Sequence, residues 1–149
     1  GGKSPNIILD DDDFAKNVAG GIATMMMNSG QSCNAPSRML VPAGRVDEVA
    51  EIAKGVAAEL TVGDPTTDVK LGPVVSEAQF DKIQGLIERA VADGATAVVG
   101  GPGRPEGLET GYYVKPTVFT NVTNDMEIAQ TEVFGPVLVV IGYDDDTAV

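Results

Sequence analysis

The sequence predicts an α/β fold: a mainly parallel sheet flanked by helices on both faces. Three observations carry this. Short apolar runs such as 6–9 (NIIL) and 137–141 (VLVVI) have the length of strands covered on both sides. Between such runs lie longer segments whose apolar residues recur every three to four positions, the spacing of one helix face. Strands and helices therefore alternate, which favours crossover units and a parallel sheet. At 149 residues and 43% apolar content, one compact domain (1–149) is the simplest account.

In chain order, 6–9 reads as a buried strand following Pro5. Asp10 to Asp13 are placed to cap the next helix and complement its dipole. That helix carries Phe14, Val18, Ile22, Met25 and Met26 at helical spacing and should stop near Gly30. Its three consecutive methionines point to different faces, so core packing explains at least two of Met25, Met26 and Met27. Residues 38–42 (RMLVP) read as the next strand. Residues 46–60 form an amphipathic helix through Val46, Val49, Ala53, Val56 and Leu60, and 61–75 an irregular connection. Ser76 and Gln79 form a candidate capping box. The helix they open should bury Phe80, Ile83, Ile87, Ala90 and Val91 and end at Gly94. A strand at 97–99 precedes a Gly/Pro loop. Residues 112–119 are β-prone but interrupted by Pro116, which predicts an edge or irregular strand. The run 137–141 is the strongest strand signal. Both termini read as positions inside a longer chain, and Asp144 to Val149 reads as an interrupted helix start.

Composition excludes several classes. Twenty-two acidic against ten basic side chains give a net charge of −12, without the basic clusters that a nucleic-acid surface needs. No apolar run has the length of a membrane span, and no signal segment is visible, so a cytoplasmic location is expected. A single cysteine rules out an internal disulfide and a multi-cysteine metal site, and no metal is expected. With no histidine, imidazole-assisted nucleophilic catalysis cannot be assembled within the chain.

The lone cysteine, Cys33, lies in MNSGQSCNA between a helix end and a strand. Small and polar neighbours leave room for a ligand to approach the sulfur, as a reactive thiol requires. The alternative is that Cys33 serves as a small buried hydrophobe. The segment NSGQSCNAPSR resembles the cysteine signature of the aldehyde dehydrogenase superfamily, Phe-x-Asn-x-Gly-Gln-x-Cys-x-Ala. Asn28, Gly30, Gln31, Cys33 and Ala35 match, and Met26 replaces the usual Phe. GGKSPNIIL, GYYVKPTV and EVFGPV resemble three further blocks of that family, in the family's order.

The resemblance implies oxidation of an aldehyde to a carboxylic acid with NAD or NADP. A thiolate attacks the aldehyde, hydride leaves, and water releases the resulting thioester. It assigns Cys33 as the catalytic nucleophile, with its own backbone N–H as one oxyanion donor. It also implies that Glu132 accepts from the nicotinamide ribose hydroxyls and that Phe134 packs beside that ribose. Taken alone, Glu132 reads as a solvated acid and Phe134 as a core aromatic. Gln79 stays open between a cofactor-side contact and the capping box. Asn28 reads as a turn residue bonded to backbone, and Lys3 and Gly72-Pro73 as structural.

The family's general base, a Glu before the Gly-Gly pair, would precede Gly1. No Rossmann fingerprint occurs, and Gly100-Gly101-Pro102-Gly103 reads as a surface loop. The chain is thus expected to be part of the nucleophile-bearing domain, inactive alone, from a parent homodimer or homotetramer. Two alternatives remain: a CoA-acylating semialdehyde dehydrogenase, and a non-catalytic assembly or binding domain.

Overall fold

The computed structural model describes residues 1–145. The helix start expected at 144–149 extends beyond them, and residues 146–149 lie outside the described residues. Among the described residues five strands form one sheet in the order β1-β2-β5-β4-β3: β1 (Pro5–Ile7), β2 (Arg38–Pro42), β3 (Thr96–Val99), β4 (Thr117–Thr120) and β5 (Val137–Tyr143). β1, β2, β5 and β4 run parallel to one another, and β3 pairs antiparallel with β4 at the edge. The expected α/β class, with a mainly parallel sheet, is what the chain forms.

Alternation along the strands separates two cores. Met39 and Val41 of β2, Val118 of β4, and Leu138 and Val140 of β5 face α1 (Phe14–Met26) and α2 (Val46–Ala58). Phe119, Val137, Val139 and Ile141 face α3 (Glu77–Ala92) and the short α4 (Glu127–Gln130). β5 lies at the centre of the sheet with Val137 to Ile141 all buried, as a strand covered on both sides must be. Helix α1 buries the predicted Phe14, Val18, Ile22, Met25 and Met26. Met27 is 67% exposed.

Four local expectations are corrected. β1 is an edge strand with Ile7 and Leu9 exposed and only Ile8 buried, and Pro5 starts it where no ladder donor is needed. The acids before α1 do not cap it through the Asp13 side chain. Instead Asp11 accepts from the Asp13 N–H, and Asp10 pairs with Arg45, whose guanidinium also lies over the Phe14 ring. In α3, Val91 is exposed and Leu86 takes the buried place, because the face drifts with 3.6 residues per turn. β4 is an interior strand: Pro116 precedes it and leaves the ladder from Thr117 to Thr120 intact. Gly94, at φ 104°, follows the end of α3 as expected.

Candidate active site

The amino-terminal ends of β1, β2 and β5 lie together because these strands are parallel and in near register. The segments preceding them, 1–4, 27–37 and 131–136, therefore meet at one end of the sheet. All the sequence blocks around Cys33, Glu132 and Phe134 fall on these segments. Open α/β sheets usually bind ligands at the carboxyl ends of their strands; here the candidate residues gather at the opposite end.

The cysteine loop is built from an abrupt change of hand. After α1, a 3-10 turn at Met27–Gly30 carries Asn28, Ser29 and Gly30 at φ 54°, 55° and 71°, all left-handed. Only glycine adopts this conformation without cost, so side chains hold the other two. Asn28 Nδ2 donates to the Gln31 carbonyl at 3.1 Å, the turn role expected of it. Gln31 Nε2 returns to the Asn28 carbonyl at 3.0 Å, and Gln31 Oε1 accepts from Val75 N–H at 3.0 Å. Buried Ser29 donates through Oγ to the Gly72 carbonyl at 2.8 Å. Segment 72–75 thus braces the cysteine loop, which gives substance to the structural reading of Gly72-Pro73.

Ser32 to Ala35 close a turn through Ala35 N–H donating to the Ser32 carbonyl at 3.1 Å. Cys33 is the second residue of that turn and is exposed. The thiol is therefore no buried hydrophobe. Among the described residues, its backbone N–H donates to no acceptor.

Gly30 seats the cysteine loop against the loop that leads into β5. A Cβ on Gly30 would stand 2.0 Å from the Gly135 carbonyl oxygen, a contact only glycine permits. A small cleft of about 10 Å³ is lined by Gly2, Gly30, Ser32, Glu132 and Phe134 among others, so all three segments share it. The larger concavities lie elsewhere, one of about 650 Å³ along β1 and α1. Glu132 is half-buried, and a Cβ on Gly1 would stand 2.2 Å from Glu132 Oε1, so the chain start lies against this carboxylate. Among the described residues the Glu132 carboxylate makes no ion pair or hydrogen bond. Phe134 holds a left-handed φ of 58°.

Gln79 departs from the capping box. Ser76 Oγ accepts from Gln79 N–H at 3.2 Å, but the Gln79 carboxamide turns away and donates to the carbonyls of Val133 and Phe134, both at 3.1 Å. Sequence reasoning also missed the full environment of Lys3. Among the described residues its buried Nζ has no hydrogen-bond partner, and burial followed by the nearby Arg38 lowers its pKa to about 8. Among the described residues no cluster of three Cys, Asp or Glu suited to a metal occurs, and no helix is long and apolar enough to cross a membrane.

The fold and this arrangement define an α/β protein with an accessible thiol on a braced, left-handed turn and a half-buried carboxylate in the adjoining cleft. Comparison with known proteins narrows it. The model of the aldehyde dehydrogenase family matches residues 1–149, and the chain belongs to that family. It is 52% identical over 147 residues to a 3-succinoylsemialdehyde-pyridine dehydrogenase from a Pseudomonas species, covering 98% of this chain and 31% of that protein. Aldehyde dehydrogenase C from Pseudomonas syringae, a cysteine-to-alanine mutant solved with NAD+ and octanal, superposes with a TM-score of 0.94 at 49% identity, covering 97% of this chain and 30% of that one. The Mycobacterium tuberculosis aldehyde dehydrogenase complexed with NAD+ gives 0.93 at 42% identity, covering 99% and 30%. The chain thus spans about 31% of the curated relative's length.

Proposed function

We propose that residues 1–149 form part of the nucleophile-bearing domain of an NAD-dependent aldehyde dehydrogenase, and that Cys33 is its nucleophile. The observation carrying this is the exposed Cys33 at the second position of a turn whose flanks are pinned by Asn28, Ser29 and Gln31. Preorganisation of this kind holds a reacting sulfur in place without reordering cost during the reaction.

The Cys33 thiolate attacks the aldehyde carbon, and the carbonyl oxygen takes up the negative charge as a thiohemiacetal alkoxide. The Cys33 N–H, which donates to no acceptor among the described residues, would donate to that oxygen. When bound, NAD would supply a hydride acceptor, and once the carbon has lost hydride Cys33 would be left as a thioester. Water then hydrolyses the thioester to the acid and regenerates the thiol. With no histidine in residues 1–149, no imidazole of this segment accepts the proton in these steps, and we place the acceptor outside residues 1–149. Glu132 fits the cofactor by its chemistry: a free carboxylate accepts from the two vicinal hydroxyls of a ribose, and the Phe134 ring would pack beside that sugar. The NAD+ named with two of the similar structures supports NAD over NADP.

The test is Cys33→Ala in the full-length protein that contains this chain. Aldehyde-dependent NAD reduction should vanish while the circular dichroism spectrum and cofactor affinity persist. Retained turnover would move the nucleophile to another residue.

A further inference from the structure

One face of α3 grips the loop that carries Glu132 and Phe134. Gln79 Nε2 donates to the carbonyls of Val133 and Phe134, both at 3.1 Å, and Lys82 Nζ reaches the Glu132 carbonyl at 3.4 Å. Ile83 lies so close to Gly135 that a Cβ there would stand 2.5 Å from its Cδ1. Positions 79, 82 and 83 have the i, i+3, i+4 spacing of a single helix face. What they oppose is backbone strain. Phe134 is left-handed at φ 58°, a conformation that a bulky residue keeps only when its surroundings impose it. A carboxamide NH2 has two donors and meets two carbonyls at once, which neither a carboxylate nor a hydroxyl does. Ser76 fixes the root of this side chain by accepting from the Gln79 N–H. Both donors of Gln79 are therefore committed to protein.

We propose that Gln79 is a positioning residue: it holds Phe134 in its left-handed conformation and thereby sets the Glu132 carboxylate and the Phe134 ring against the cofactor ribose. This rests on the reading of Glu132 and Phe134 given above. It assigns the Gln79 amide to the loop and not to direct donation toward the cofactor.

The test uses Gln79→Glu in the full-length protein, which keeps the side-chain volume, the helix and the Ser76 cap but sets an acceptor against two carbonyl oxygens. Affinity for NAD should fall about tenfold or more, the scale of two lost hydrogen bonds. Alkylation of Cys33 by iodoacetamide without cofactor should keep its wild-type rate. The defect should narrow as pH falls, because the introduced carboxyl regains one donor when protonated. Gln79→Asn keeps the donors but lacks the reach, and should lose affinity without the pH dependence. In a Glu132→Gln background, Gln79→Glu should cost less than it does alone, the mark of one residue acting through another. Unchanged NAD affinity in Gln79→Glu beside a loss in Glu132→Gln would overturn this inference and leave the cofactor reading standing. Unchanged affinity in both would overturn that reading itself. Losses that simply add, or an alkylation rate that falls in parallel, would also overturn the positioning role.

Discussion

Gln31 uses both ends of its carboxamide on backbone: Nε2 on the Asn28 carbonyl and Oε1 on Val75 N–H. Together with Ser29, which donates to the Gly72 carbonyl, it ties the Cys33 turn to the brace at 72–75. Gln31→Leu should cost the fold only about 1–2 kcal/mol, the net worth of two such bonds. In the full-length protein it should lower kcat far more than it raises KM for NAD, because the sulfur loses its aim while the cofactor contacts stay. Steady-state kinetics check this, and an effect confined to KM would refute it. Lys3 offers a second residue-scale prediction, with a sign set by linkage. Its pKa is lowered to about 8 from 10.5 by burial and then Arg38, so the folded chain sheds this proton more readily than the unfolded one. The unfolded state therefore binds more protons between about pH 8 and 10.5, and stability rises with pH across that window. Below about pH 8 the burial penalty is fully present. Lys3→Met should accordingly stabilise the chain at pH 7 and lose that advantage near pH 10.5, as measured by urea unfolding at the two pH values. An equal difference at both would show that Lys3 is not desolvated. The exposure of Cys33 in a polar turn and the turn role of Asn28 were legible in the sequence. The partners of Ser29, Gln31 and Gln79 were not, since they lie 43, 44, 54 and 55 positions away and leave no local pattern.

At the scale of elements, apolar runs and periodicity located α1, α2, β2 and β5 well, because burial on a fixed face is what periodicity reports. It failed where sheet position mattered. Nothing local in NIIL says that its strand is an edge, and Pro116 weakened a strand that it only precedes. The same limit applies to the end of α1. Gly30 was readable as a helix stop, but its seat on the Gly135 carbonyl joins segments more than a hundred residues apart. That contact makes a test of the loop pair. Gly30→Ala would incur the left-handed penalty at φ 71° and drive a Cβ to 2.0 Å from a backbone oxygen. A destabilisation of about 2–4 kcal/mol is expected from strain and displaced backbone. A midpoint of urea unfolding within about 0.5 kcal/mol of wild type would show that the two loops separate freely.

For the whole molecule, parallel strands bring their starts to one end, and that single fact assembles segments distant in sequence into a candidate site. The fold class was legible from alternation alone. Which end of the sheet gathers the candidate residues was not, because that depends on strand order and direction. The chain covers about 31% of its curated relative, and on the reading above the proton acceptor and most of the cofactor cradle lie outside it. The isolated chain should therefore fold but show no aldehyde-dependent NAD reduction in a spectrophotometric assay; steady turnover would show that it holds the complete machinery. The central claim concerns Cys33 in the full-length protein, and one measurement addresses it most directly. The protein is mixed with an aldehyde and NAD, quenched in acid within the first turnover, digested, and its peptides weighed. An acyl adduct on the peptide containing Cys33 is the predicted result. Turnover without any acyl group on Cys33, or with the acyl group on another residue, would contradict the account.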